Sequence, residues 1–345
     1  MEDLPDEFVV DILSRLPVKT IIHCKCICKK WLDLISYSYF KNLHFSRSPP
    51  TLLIHHNSVR NDSDNQPGIL TWVEVEDDPD HHHLHHDPLM NLNLNLSPIF
   101  QESSTLLVGS VDGMVYLRQD CKDKSFICNP ITREYMILPP PRKQEFRPDT
   151  TIMTSCFGVG SITNKYKVIR ICQLLTPAHL LEAEVYTIGT GGQWRSLSLG
   201  NVPYWLGGGY DGTFLGGGYD GTFLNGHAHW PIHFEDSPEK FMSSGFTFWV
   251  MKEYGIKESW HKELVISHRI GRNLGGLMIQ LIDPIEHLRD GTILMVRGEK
   301  LYAYSCEGRT IADTDYGFDQ CFTIMAYRPS FLNLRNFESE RVYVL

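Results

Sequence analysis

The spacing of apolar and polar residues changes once along this chain, near residue 45. In "LPDEFVVDILSRLP" the apolar residues Phe8, Val9, Ile12, Leu13 and Leu16 step by one, three, one and three, the stripe of a helix buried along one side. Pro5 suits the first turn, where a missing N–H costs nothing; Asp6 and Glu7 fall at the positive end of the helix dipole; Pro17 ends the segment. Val18, Ile22, Ile27, Trp31, Leu34 and Ile35 continue with a second helical pattern. From Pro49 onward the period shortens to that of strands. "LLVGSVDGMVYL" leads into "FICNPITREYMILPPP", and "NKYKVIRI" into "AEVYTIGTGGQWRSL". Each reads as an apolar strand, a tight turn, and a strand carrying an aromatic or a leucine. Such units recur at roughly 50–65 residues, long for propeller blades but compatible with loop insertions. The pattern predicts a small all-α module over residues 1–45 and a mainly β domain over 50–345, in the repeated sheets of a β-propeller, which leaves few edges exposed.

The helical module is too small to satisfy itself. About 45 residues lie near the lower limit for an independent core, and helices this short cannot turn every Leu, Ile, Val and Trp inward. A contiguous apolar patch left outside marks a partner surface, where each large side chain buried contributes roughly 1.5–3 kcal/mol. These residues form a docking module.

Composition narrows the partners. A net charge of −9 excludes a general nucleic-acid or anionic-membrane surface, which needs clustered Lys and Arg. No apolar run approaches the ~18 residues of a membrane span, and the acidic start "MEDLPDEFVV" lacks the order of an export signal. The expected compartment is cytoplasm or nucleus, so the nine cysteines are expected as thiols.

Three stretches invite a chemical reading, and each has a plainer one. "IIHCKCICKKW" holds one histidine and three cysteines, but on a helix residues two apart differ by about 200°. Cys24 and Cys28 share a face that Cys26 does not, so the group cannot converge on one ion. "DDPDHHHLHHDP" (Asp77–Pro88) is low-complexity and proline-bearing, a loop insertion over residues 77–100 with adventitious metal affinity. "LGGGYDGTF" occurs twice, at Leu206–Phe214 and Leu215–Phe223; no Gly-Lys-Ser/Thr follows it, and it reads as a duplicated loop or hairpin over residues 206–223. No Gly-x-Ser-x-Gly, His-Glu-x-x-His or Walker loop occurs, and no metal, cofactor or catalytic residue is expected.

The segment Leu4–His44 resembles the F-box, through Leu4-Pro5, Ile12-Leu13, Arg15-Leu16-Pro17-Val18-Lys19, Cys26, Cys28-Lys29, Trp31, Leu34-Ile35 and Phe40. "NPITREYMILPPP", "FGVGSITNKYKVIRI", "FLNGHAHW", "FWVMKEYGIKESW" and "PSFLNLRNFESERVYVL" resemble the plant F-box-associated domain, which implies a kelch- or galactose-oxidase-like propeller. The resemblance implies that Leu4, Pro5, Ile12, Leu13, Leu16, Pro17 and Val18 face a SKP-family adaptor. It places Ile22, Cys26, Cys28, Trp31 and Leu34 in the small helical core. The adaptor would bring cullin and RING subunits, making the chain the substrate-recognition subunit of an SCF ubiquitin ligase, with an unknown protein target and no catalysis of its own. One departure stands out: only eighteen residues separate His229-Trp230 from Trp249, which predicts a ring short of strands. Two other readings stay open: a defective copy that still docks the adaptor, and a propeller enzyme.

Overall fold

The computed structural model describes residues 4–49, 51–56, 69–75, 84–85, 105–119, 124–140, 150–174, 181–198, 220–224, 226–234, 245–253, 256–267, 283–287, 292–297, 300–305, 310–317 and 322–344. Four short helices come first: α1 (Asp6–Leu13), α2 (Val18–Cys24), α3 (Lys29–Ser36) and α4 (Ser38–Arg47). Pro5 and Pro17 stand immediately before α1 and α2 with ψ of 143° and 147°. Each interrupts the chain and then offers its carbonyl to the new helix: Pro5 O accepts from the Phe8 N–H at 3.0 Å, and Pro17 O from the Ile21 N–H at 3.1 Å. The second helical pattern, expected as one helix, is two. Lys25 to Ile27 turn, and Cys28 is extended at φ −157°, ψ 161° before α3 begins.

Strands follow in sheets of four. The first sheet holds β1 (Thr51–His56), β2 (Ile69–Val75) and β3 (Leu84–His85). The second holds β4 (Thr105–Val111), β5 (Met114–Gln119), β6 (Lys124–Asn129) and β7 (Glu134–Ile137). The third holds β8 (Thr150–Val159), β9 (Tyr166–Leu174), β10 (Leu181–Thr187) and β11 (Arg195–Leu197). The fourth holds β12 (Thr222–Leu224), β13 (His227–Phe234), β14 (Gly245–Met251) and β15 (Trp260–Ser267). The fifth holds β16 (Asp283–His287), β17 (Thr292–Arg297), β18 (Lys300–Ser305) and β19 (Thr310–Gly317). Last come β20 (Phe322–Tyr327), which joins the first sheet beside β1, and β21 (Val342–Val344), which joins the second beside β7. The inner strands touch in a cycle: β20 with β4, β4 with β8, β8 with β12, β12 with β16, and β16 with β20. Among the described residues this is a closed ring of five sheets, the arrangement of a β-propeller.

Alternation along the strands explains the continuous apolar run "MVYL". Met114 and Tyr116 pack toward the third sheet, against Phe157, Val168 and Tyr186. Val115 and Leu117 pack toward the first, against Leu53, Met325 and Tyr327. A strand covered on both sides has no polar face to show. The third sheet repeats the device: Cys156, Ile169 and Val185 meet Ala228, Trp230 and Met251 of the fourth.

Strands from the two ends of the β domain lie in neighbouring sheets: β1 pairs with β20, Thr51 opposite Tyr327 and His56 opposite Phe322, and Val342–Val344 extends the adjoining sheet beside β7. β20 has six residues and buries Ile324, Met325 and Tyr327; β21 has three and buries none. One expectation is corrected: the fourth sheet is not short of strands. β13 and β14 pair directly, Ala228 opposite Met251 through Phe234 opposite Gly245, between β12 and β15. Of the brief spacing before Trp249, Pro231–Phe234 and Gly245–Phe248 are paired strand. Of the loop insertion 77–100, residues other than 84–85 lie outside the described residues, as do residues 206–219 of the duplication. The end of its second copy is structural. Asp220 Oδ1 accepts from Arg118 Nη1 at 2.9 Å and from the Ser155 N–H at 2.7 Å, tying β5 and β8 to the segment that leads into β12.

Candidate interaction surface

The helical module has two sides with different fates. Its inner side is a core of Val10, Leu13, Val18, Ile21, Cys24, Ile35 and Phe40, which also takes in Ile131 and Phe331 from the β domain. Phe331 meets the His44 ring edge-on at 5.3 Å, and Lys25 Nζ lies 4.2 Å above its centroid. Arg328 stacks over Phe45 at 5.5 Å. The segment bearing Phe331 is clamped by the turn after β6. Asn129 Nδ2 donates to Ser330 O at 3.0 Å and Leu332 O at 2.7 Å, its Oδ1 accepts from the Ile131 N–H at 2.9 Å, and Glu134 Oε2 accepts from the Leu334 N–H at 2.9 Å. "NPITRE" and "PSFLNL", two hundred positions apart, are halves of one joint.

His44 is the polar centre of that joint. Its Nε2–H donates to Leu16 O at 3.1 Å, and the Ser48 hydroxyl, which donates to the His44 carbonyl at 2.9 Å, lies 3.2 Å from Nδ1. Burial holds its pKa below the ordinary 6.5, against the pull of the Leu16 carbonyl, so the ring is neutral.

The outer side is apolar and uncovered. Phe8 is 61% exposed and Ile12 54%, four residues apart and so on one side of α1, and Leu4, just before the helix, is 52% exposed. Of the eleven large apolar side chains exposed among the described residues, seven lie between Leu4 and Tyr39, which concentrates the uncovered surface on this module. Its rim is charged: Asp11 pairs with Arg15 at 3.1 Å and Arg47 at 2.8 Å, and Lys30 with Asp6 at 2.9 Å. Hydrogen bonds from Arg15 and Arg47 hold the Asp11 carboxyl below the usual range.

Residues 1–43 match the family described as the F-box domain, and residues 74–219 that described as the F-box associated beta propeller domain. The chain is a plant F-box protein with an F-box-associated domain. The Arabidopsis thaliana protein At3g52320, named as an F-box protein, is 28% identical over 213 residues, 59% of this chain and 49% of that one. At1g53550 of the same plant, named likewise, is 28% identical over 214 residues, 59% and 49%. F-box protein At2g15640 is 25% identical over 206 residues, 56% and 46%. The chain spans about half the length of these relatives.

The F-box residues expected at the adaptor surface divide. Leu4, Pro5, Ile12 and Pro17 are exposed, and Leu16 is half-buried. Leu13, 2% exposed, and Val18, 3%, are corrected: both point into the module's own core. Phe8, read from sequence as part of the helix's buried stripe, is exposed instead. The expected core is corrected in part. Ile22, Trp31 and Leu34 pack half-buried at its edge, but Cys26 and Cys28 are exposed, because the turn at 25–28 carries them off the helix. Cys24 is the buried thiol, and burial raises its pKa. Lys25 covers the Phe331 ring.

Proposed function

We propose that the chain is the substrate-recognition subunit of an SCF-type ubiquitin ligase. In this reading the Leu4–Phe8–Ile12 face, with Pro5, Leu16 and Pro17 beside it, docks a SKP-family adaptor that brings cullin and RING subunits. The β domain holds a target protein, and the chain itself supplies position, not chemistry. One observation carries the reading: the F-box inner side is filled by Phe331 and Ile131 of the β domain, yet its outer side keeps Leu4, Phe8 and Ile12 in solvent. Exposure of that kind is stable only against a partner. The same joint makes the F-box a fixed mount, so a target on the β domain would be held at a set position relative to the ligase. The defective-copy reading loses its main support, because the fourth sheet has its four strands.

The test is adaptor capture by the double variant Phe8→Asp/Ile12→Asp. Both side chains are exposed, so the fold is spared, while two desolvated anchors become charges. Each anchor lost costs about 2–4 kcal/mol, so capture falls at least ~30-fold. Capture at the wild-type level, with circular dichroism unchanged, would remove this face from the docking surface.

A further inference from the structure

The β8–β9 and β10–β11 turns of the third sheet flank an open groove of about 640 Å³ whose chemistry the docking reading leaves unused. Lys165, Lys167 and Arg195 line it, with the hydroxyl side chains of Thr163, Thr187 and Thr190 between them. Strand register brings them together. Lys167 lies opposite Thr187 across β9 and β10, and Arg195 opens β11 opposite Val185. These like charges face one another. Burial first, and then Arg195 and Lys165, hold the Lys167 ammonium below the usual lysine range, against the pull of Glu253.

Glu253 is the carboxylate beside Lys167; a Cβ added at Gly160 would meet Lys167 Nζ at 3.2 Å and Glu253 Oε1 at 3.4 Å. Its other oxygen accepts from the Ser161 hydroxyl. Among the described residues neither Lys165 nor Arg195 enters an ion pair, so two of the cations lining the groove are left to a ligand. A second observation points the same way: Thr187 Oγ1 is buried on the groove wall with no hydrogen-bond partner among the described residues. A buried hydroxyl in that state is costly unless a ligand oxygen accepts from it.

We propose that this groove binds a phosphate-type oxyanion, held by Lys165, Lys167 and Arg195 with the Thr187 hydroxyl donating to it. Guanidinium and ammonium groups converging with hydroxyl donors suit a dianion's three oxygens. The volume exceeds that of bare phosphate and falls in the range that holds larger ligands, so the phosphate arrives on a larger group. That group is either a phosphorylated serine or threonine of a target segment or a small soluble phosphate ester. The first source rests on the receptor reading above; the anion site itself does not.

Isothermal titration calorimetry on the full chain tests the site with two probes. One is a phosphoserine peptide pool with randomised flanks, read against its unphosphorylated pool; the other is inorganic pyrophosphate. The variant Lys165→Glu/Arg195→Glu changes exposed side chains only. Wild-type binding should fall at least ~30-fold in this variant, since each reversed charge removes a charge-assisted contact, and should weaken as salt rises. Thr187→Val, which keeps the shape and removes the donor, should cost about 10-fold. Preference for the phosphorylated pool assigns the site to a target segment; binding of pyrophosphate alone assigns it to a soluble phosphate. Binding of neither probe, or wild-type affinity in the double variant, overturns the proposal. Adaptor capture from the same preparations separates the two readings, because it is untouched when only the anion site fails.

Discussion

Phe331→Ala removes the side chain through which the β domain enters the F-box core. Phe331 is fully buried against residues of α1, α2 and α4, edge-on to His44 and beneath Lys25. Emptying a buried phenylalanine site costs about 3–5 kcal/mol. The His44 and Lys25 contacts, each worth ~0.5–1.5 kcal/mol, lie inside that range, because contacts in one cluster do not add. A module of about 45 residues has a few kcal/mol of its own at most. The loss therefore consumes its stability while leaving the ring intact. Native-state hydrogen exchange reads this directly, since each ~1.4 kcal/mol is tenfold in opening. Amides of Phe40 to His44 should exchange ~100- to 1,000-fold faster, and those of Met114 to Leu117 should keep their wild-type protection. Unchanged exchange in α4 would show that the F-box stands without Phe331. An equal loss in β5 would show that Phe331 belongs to the ring instead.

Two further outcomes follow from titration and access. His44 is held below 6.5 by burial, so below that pH the unfolded chain takes up a proton that the folded chain refuses; stability is full above pH 6.5 and falls as pH drops toward the lowered folded value, by no more than ~1.4 kcal/mol per pH unit. Urea unfolding at pH 7.5 and 5.5 should show this loss, and His44→Gln should flatten it; a steeper loss in the variant would assign the pH dependence elsewhere. Maleimide at pH 7.5 should label Cys26 and Cys28 rapidly and spare Cys24, Cys128 and Cys156, which are buried, the Cys128 thiol being pushed up to about 12. Labelling of Cys24 as fast as Cys26, read by peptide mass spectrometry, would contradict the packing of α2.

What the sequence revealed and concealed has a physical pattern. Strand-turn-strand units were legible because alternation and Asp-Gly turns are local; Asp112 and Gly113, at φ 50° and 77°, form the tight hairpin that "VDGM" announces. The helical module was legible as apolar on too many sides. Which side was inner was not, since Leu13 and Ile12 are neighbours in sequence and differ only in what comes to meet them. The cysteines were read along one continuous helix, and a single extended residue, Cys28, undid that geometry. The joint between Asn129 and the 330–332 segment leaves no local trace, because its halves are two hundred positions apart. The quoted motifs marked both halves without showing that they mate. Lys165 and Arg195 carried no signal either: only the register of β9 to β11 makes neighbours of them.

The pairing of β1 with β20 sets an order in time. Thr51 awaits Tyr327, 276 positions later. At ~5–20 residues per second of synthesis, that is about 14–55 s during which one edge of β1 is bare. Phe331 emerges later still, so the first domain made is the last to acquire its core. A nascent or truncated chain thus carries the docking residues without the scaffold that presents them. On the receptor reading, a half-made subunit is kept off the ligase by the geography of its own fold, and only a chain whose ring has closed can enlist the machinery that marks others for destruction.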